Sequence, residues 1–159
     1  MSETVRLFTI GHSNHAIEHF IELLRQHQIT LLVDVRSQPY SQWASQFNRE
    51  LLRLDLEEAG VHYLYKGDSL GGRPETSLVP PDYKVMAQRP AYLQGIDQLL
   101  DLARSERLAV MCSEGDFHHC HRHLLITQTL LARDAIVLHI QPDGTLAEGT
   151  LEPEQLTLF

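Results

Sequence analysis

From Leu7 to Ile140 the chain alternates short apolar runs of strand length with segments whose apolar residues recur at helical spacing, and few folds accept that rhythm. Leu7 to Ile10 reads as a first strand. Ile17, Phe20, Ile21 and Leu24 then fall at i, i+3, i+4 and i+7, one face of a helix. Leu31 to Val35 (LLVDV) is apolar enough for a strand covered on both faces. Asn48 suits the N-cap of a helix running to Ala59, and Gly60 suits the left-handed residue that would end it. Val61 to Tyr65 reads as a third strand, Ile96, Leu99, Leu100 and Ala103 repeat the helical spacing, and Leu108 to Met111 read as a fourth strand. A helix from Cys120 to Ala132 and a last strand, Ile136 to Ile140, close the unit. The order predicts an α/β fold: a mostly parallel sheet of about five strands, flanked by helices through right-handed crossovers in a Rossmann-like, three-layer arrangement.

The 159 residues suit a single domain, expected over 1–140. Residues 66–90 are rich in Gly and Pro and too long for an ordinary connection, so they are expected to form an inserted cover, with a helical turn around Tyr83 to Met86. From Gln141 to Phe159 periodicity is lost and the chain reads as a polar tail that ends in Gln155-Leu-Thr-Leu-Phe159. No apolar run reaches membrane-spanning length, and Met1 to Arg6 lack the order of a secretory signal. The only cysteines, Cys112 and Cys120, lie close together in a histidine-rich stretch rather than in a disulfide framework, which fits a reducing cytoplasm. A net charge of −8 argues against a generic basic surface for nucleic acid, though not against a local basic pocket.

Where the strands end they deliver polar residues: Gly11, His12, Ser13 and Asn14 after the first, Asp34 and Arg36 at the second, Cys112 and Glu114 after the fourth. Ligands of parallel α/β sheets lie beyond the carboxyl ends of the strands, so these groups are expected to converge on one edge. Ser13 and Asn14 have a plainer use as caps of the first helix. His12, Asp34 and Arg36 together point to function. The segment Cys112 to Arg122 runs from a strand through a loop into a helix whose first turn carries Cys120, His121 and Arg122. Free N–H groups at a helix start attract anions, and Arg122, opposed there by the helix dipole, answers a negative group, either a ligand or Glu114 or Asp116. Cys112 is a candidate nucleophile, because a positive loop beside a helix start lowers a thiol pKa. A buried apolar role is the commoner fate of a cysteine that ends a strand. Cys120 falls with Leu124, Thr127 and Leu131 on an inward helix face. The histidines 118, 119, 121 and 123 raise metal binding, but the cysteine spacing matches no common zinc pattern and adjacent helical residues point apart. No metal site is assigned and no cofactor is identified.

Thr9-Ile-Gly-His-Ser-Asn14, the Asp34-Val-Arg36 triplet, Gln46-Phe47-Asn48, Leu70-Gly-Gly72 and Cys112-x-Glu114-x5-Cys120-His121-Arg122, in this order, resemble the bacterial "domain of unknown function 488" family. The resemblance spans residues 7 to 140. It implies a shared pocket at the matching positions: His12, Ser13, Asp34, Arg36, Gly71, Gly72, Cys112, Glu114, Cys120, His121 and Arg122. It names no reaction. This chain departs from many relatives in carrying Phe117, His118 and His119 where they have proline or tryptophan. The last five residues are similar to the peptide by which bacterial repair and replication proteins dock on the DNA sliding clamp. In that reading Gln155 supplies a directional hydrogen bond while Leu156, Leu158 and Phe159 offer apolar anchors. The opposing reading folds the apolar residues back on the domain.

Two classes of function follow. One is an enzyme acting on a phosphorylated or nucleotide-like ligand, with Arg36, Arg122 and loop N–H groups holding the anion, His12 or Glu114 moving protons, and Cys112 attacking or sensing oxidation. The other is a non-catalytic nucleotide-binding or regulatory module; thiol-sensing and metal-binding variants belong with it.

Overall fold

Apolar runs of strand length line up as neighbours in one sheet. The computed structural model describes residues 4–70, 87–113 and 121–151, the side chains of 121–124 excepted. In chain order the elements are β1 (Arg6–Gly11), α1 (Ile17–Gln26), β2 (Leu31–Asp34), a 3-10 turn (Ser45–Phe47), α2 (Arg49–Glu58), β3 (His62–Tyr65), α3 (Gly67–Leu70), α4 (Pro90–Ala103), β4 (Leu108–Cys112), α5 (His121–Ala132), β5 (Ile136–Ile140) and β6 (Leu146–Glu148). The sheet order is β3-β2-β4-β1-β5-β6. The first five strands pair in parallel, and β6 joins β5 antiparallel.

Strand alternation sorts the core into two layers. Leu7, Val33, Leu108, Val110 and Val137 pack on Tyr92, Ile96 and Leu99 of α4 and on Leu125, Ile126 and Leu130 of α5. Phe8, Ile10, Leu32, Ala109 and Met111 face the other way, against Phe20, Leu23 and Leu24 of α1 and Leu52 and Leu56 of α2. The architecture is therefore the expected three-layer α/β fold. Each fully buried leucine or phenylalanine stabilises it by about 1.5–3 kcal/mol. Pro90 opens α4 at a position where a missing N–H costs nothing.

Several local expectations need correction. Neither Ser13 nor Asn14 caps α1: the N-cap is Ala16. Ser13 adopts φ 47° and its N–H donates to the Ser113 carbonyl at 2.8 Å, prolonging the β1–β4 ladder instead. Asn48 holds the N-cap position of α2, but its Oδ1 accepts from the Ser41 N–H at 2.8 Å rather than from the helix. Gly60 does take the left-handed conformation expected after α2, φ +83°. The chain beyond Gln141 is not all tail, since Leu146–Glu148 forms the edge strand β6 and Gln128 Nε2 donates to the Thr150 carbonyl at 3.1 Å. The expected cover begins with α3, while its glycines Gly71 and Gly72 and the turn at Tyr83 to Met86 lie outside the described residues.

Candidate functional site

β2, β4 and β1 are adjacent, and their carboxyl ends are level: Asp34 pairs with Met111, and Gly11 with Cys112. Beyond the last paired residues the backbone keeps bonding, with the His12 N–H on the Cys112 carbonyl at 3.0 Å and the Val35 N–H on the Met111 carbonyl at 3.2 Å. His12, Asp34 and Arg36 thereby reach one rim although 24 residues separate His12 from Arg36.

There they form a buried polar array. Arg36 grips Asp34 with both arms, Nε to Oδ1 at 2.9 Å and Nη2 to Oδ2 at 2.8 Å, and its backbone N–H adds a third bond to Oδ1 at 3.1 Å. Tyr63 donates its hydroxyl to Oδ2 at 2.6 Å. Both carboxylate oxygens thus accept two hydrogen bonds each, which a charge at 0% exposure requires. Arg36 Nη1 reaches His12 Nε2 at 3.4 Å, a long contact by hydrogen-bond standards. His12 Nδ1 donates to the Ser13 carbonyl at 2.7 Å, which leaves Nε2 as the acceptor. Phe47 stacks on the imidazole with ring centres 4.7 Å apart. Tyr65 donates to the Arg36 carbonyl at 2.8 Å and carries the Arg49 guanidinium over its ring at 4.4 Å. Gly67 allows this closeness, because a Cβ there would lie 1.9 Å from the Arg36 carbonyl oxygen.

Burial, more than any other cause, pulls the His12 pKa down to about 4; the Arg36 charge adds to the fall, and the Ser13 carbonyl and Asp34 oppose it. His12 is therefore neutral at physiological pH. Burial, with the Asp34 charge second, raises the Tyr63 hydroxyl above its ordinary value and keeps it a donor. Ser13 and Asn14 are exposed beside this array and Ser37 is half-buried, so they form its lip.

The expected pocket residues divide. His12, Asp34 and Arg36 come together, on the face of α1 and α2. Cys112 ends β4 at the same rim and is fully buried, but it shares the parity of Leu108 and Val110, which face α4 and α5, rather than that of Met111. Sharing an edge did not mean sharing a face. Arg36 is also less free than expected, since Asp34 takes up Nε and Nη2. Glu114, Cys120 and the Gln155, Leu156, Leu158 and Phe159 tail lie outside the described residues, as do the side chains of His121 and Arg122. Among the described residues no group of three or more His, Cys, Asp or Glu could hold a metal ion, and no helix is long and apolar enough to cross a membrane. Tyr63, Tyr65 and Phe47 escaped the sequence reading as site residues. Tyr-x-Tyr in the strand beside Asp34-x-Arg36 was the available signal, since both pairs occupy alternate positions of one face. A second buried polar contact, Thr9 Oγ1 to His139 Nδ1 at 2.5 Å, lies within the paired strands β1 and β5.

The model of a family described as a domain of unknown function, DUF488, matches residues 16–128, more than half of the chain. The chain belongs to the DUF488 family. No curated protein and no solved structure matches it. Within the span matched to DUF488 lie Asp34, Arg36, Tyr63 and Cys112; His12 and Ser13 precede it.

Proposed function

We propose that the rim formed by β1, β2 and β4 binds a phosphorylated, nucleotide-like ligand, and that His12 becomes a working acid–base group only once that ligand is bound. One observation carries the reading. A bidentate Arg36–Asp34 pair, a neutral histidine and a tyrosine hydroxyl are buried together at the carboxyl ends of adjacent parallel strands. Such an array adds little stability that packed apolar side chains would not, whereas ligand sites of parallel sheets lie at this place. An anion received at the Ser13–Asn14–Ser37 lip would draw on the Nη1 hydrogen of Arg36 that His12 does not take, with Arg122 and loop N–H groups as further donors. Its charge would raise the His12 pKa from about 4 toward the range useful for proton transfer. The low pKa of the unliganded histidine favours, as second reading, a binding module without turnover.

Calorimetric titration with adenosine monophosphate at pH ~6, in buffers of different ionisation enthalpy, tests this through proton uptake. The phosphate itself titrates near pH ~6 in both proteins, so the difference between them reports His12: wild type should take up a fraction of a proton more than His12→Gln on binding. Absence of binding at millimolar ligand, or equal uptake by the variant, would refute the proposal. Turnover of phosphorylated substrates that vanishes in His12→Gln separates the enzyme from the module. We also propose that Gln155 to Phe159 recruit the protein to a bacterial sliding clamp, supported by their likeness to clamp-docking peptides and by the otherwise polar composition around them. Deleting them should abolish retention on purified clamp, and unchanged retention would refute docking.

A further inference from the structure

The loop between β2 and α2 leaves the sheet at the rim, and its backbone is tied down almost throughout. The Arg49 N–H donates to the Pro39 carbonyl at 3.0 Å, and Tyr40 donates its hydroxyl to Glu50 at 2.7 Å. Ser41 Oγ accepts from the N–H groups of Trp43 at 3.1 Å and Ala44 at 3.3 Å, and the Ser41 N–H is held by Asn48. Gln46 Nε2 donates to the His15 carbonyl at 2.7 Å, clamping the loop to the one that carries Ser13 and Asn14. Its inner residues are anchored as well: Ala44 is 4% exposed, and Phe47 is wholly buried against His12.

Trp43, in the middle of this braced turn, is 91% exposed. An indole gains more from burial than almost any side chain, so a fixed backbone that holds it in water presents it to something. It stands one residue before Ala44 and four before the ring that stacks on His12, which keeps its Cα within at most ~14 Å of that of Phe47. We propose that Trp43 is the platform on which the base of a nucleotide stacks while its phosphate sits at the His12–Arg36 rim. This rests on the phosphate reading above and adds what that reading lacks, a group that distinguishes a nucleotide from any other phosphorylated molecule. A flat exposed indole suits a nucleobase because stacking tolerates any base and needs no hydrogen-bond code. The net charge of −8 sets the limit: the contact takes one nucleotide or the end of a strand rather than a long phosphate backbone.

Trp43 is the only tryptophan in the chain, so its emission reports this contact alone. Adenosine monophosphate, ribose 5-phosphate and a short 5′-phosphorylated oligonucleotide would be titrated against wild type, Trp43→Ala and Trp43→Phe, by fluorescence and calorimetry. Because the ring is exposed, neither variant should disturb folding. Adenosine monophosphate is expected to quench the indole and bind about tenfold more tightly than ribose 5-phosphate. Trp43→Ala should lose that advantage without altering ribose 5-phosphate binding, and Trp43→Phe should restore much of it. An oligonucleotide that binds more tightly than the monophosphate identifies a strand end as the source; equal affinity identifies the free nucleotide. If ribose 5-phosphate binds as tightly as the nucleotide, or if Trp43→Ala binds the nucleotide like wild type, the stacking proposal falls and the phosphate site stands. If none of the probes binds, both fall.

Discussion

His12→Gln should flatten the acid side of the stability curve. Glutamine can still donate to the Ser13 carbonyl and accept from Arg36, but it cannot take a proton. In the native protein His12 has a pKa of about 4, against 6.5 for the unfolded chain. Between those values the unfolded state binds a proton that the folded state refuses, so the contribution is intact above the unfolded pKa and is lost as pH falls. Each pH unit inside the window costs about 1.4 kcal/mol, which amounts to about 2 kcal/mol at pH ~5 and roughly 3 kcal/mol by pH ~4. His15 is lowered in the same direction, burial leading and His19 second, and it remains in both proteins, so the difference between them isolates His12. Urea unfolding at several pH values from ~7 to ~4.5 gives the two curves. Parallel curves would show that His12 titrates normally in the folded protein and would refute the burial argument.

Removing one partner of the ion pair should be costly: Asp34→Asn strands the Arg36 charge at 2% exposure, an expected loss of about 3–5 kcal/mol in thermal unfolding. Asp34→Leu with Arg36→Met should recover most of that stability yet abolish ligand binding, which separates the array's structural worth from its use. Gly67→Ala places a Cβ 1.9 Å from the Arg36 carbonyl oxygen and 2.3 Å from the Tyr65 hydroxyl, so the melting temperature should fall by the equivalent of about 1–3 kcal/mol. Cys112→Ala should leave ligand affinity within about twofold, because alternation along β4 puts Cys112 on the side of Val110, away from His12. Iodoacetamide should label wild-type Cys112 more slowly than a model thiol.

The strands were legible because each buried run is short and bounded, and the rim was legible because polar residues follow those runs. The face on which Cys112 lies was not. Leu108 to Cys112 is apolar at every position, as a strand covered on both sides must be, so its alternation carries no mark of direction. Only the register of Gly11 with Cys112 and the packing of Val110 resolve it. Leu146–Glu148 escaped notice because a strand of 3 residues is shorter than any period that reveals one. Tyr63 and Tyr65 read as ordinary strand aromatics, and their role depends on β3 lying beside β2, a fact of topology that no local pattern encodes. Ser13 looked like a cap because capping statistics describe isolated helix starts, whereas here the ladder to Ser113 claims its backbone first.

The most direct measurement is the titration of the His12 imidazole by nitrogen-detected NMR, with and without saturating adenosine monophosphate. The unliganded ring should titrate near pH 4 with the proton on Nδ1 above it, and bound phosphate should move the midpoint upward by about one unit or more. A midpoint near the ordinary histidine value in the free protein, or one that saturating ligand does not move, would contradict the assignment of this rim as a phosphate site.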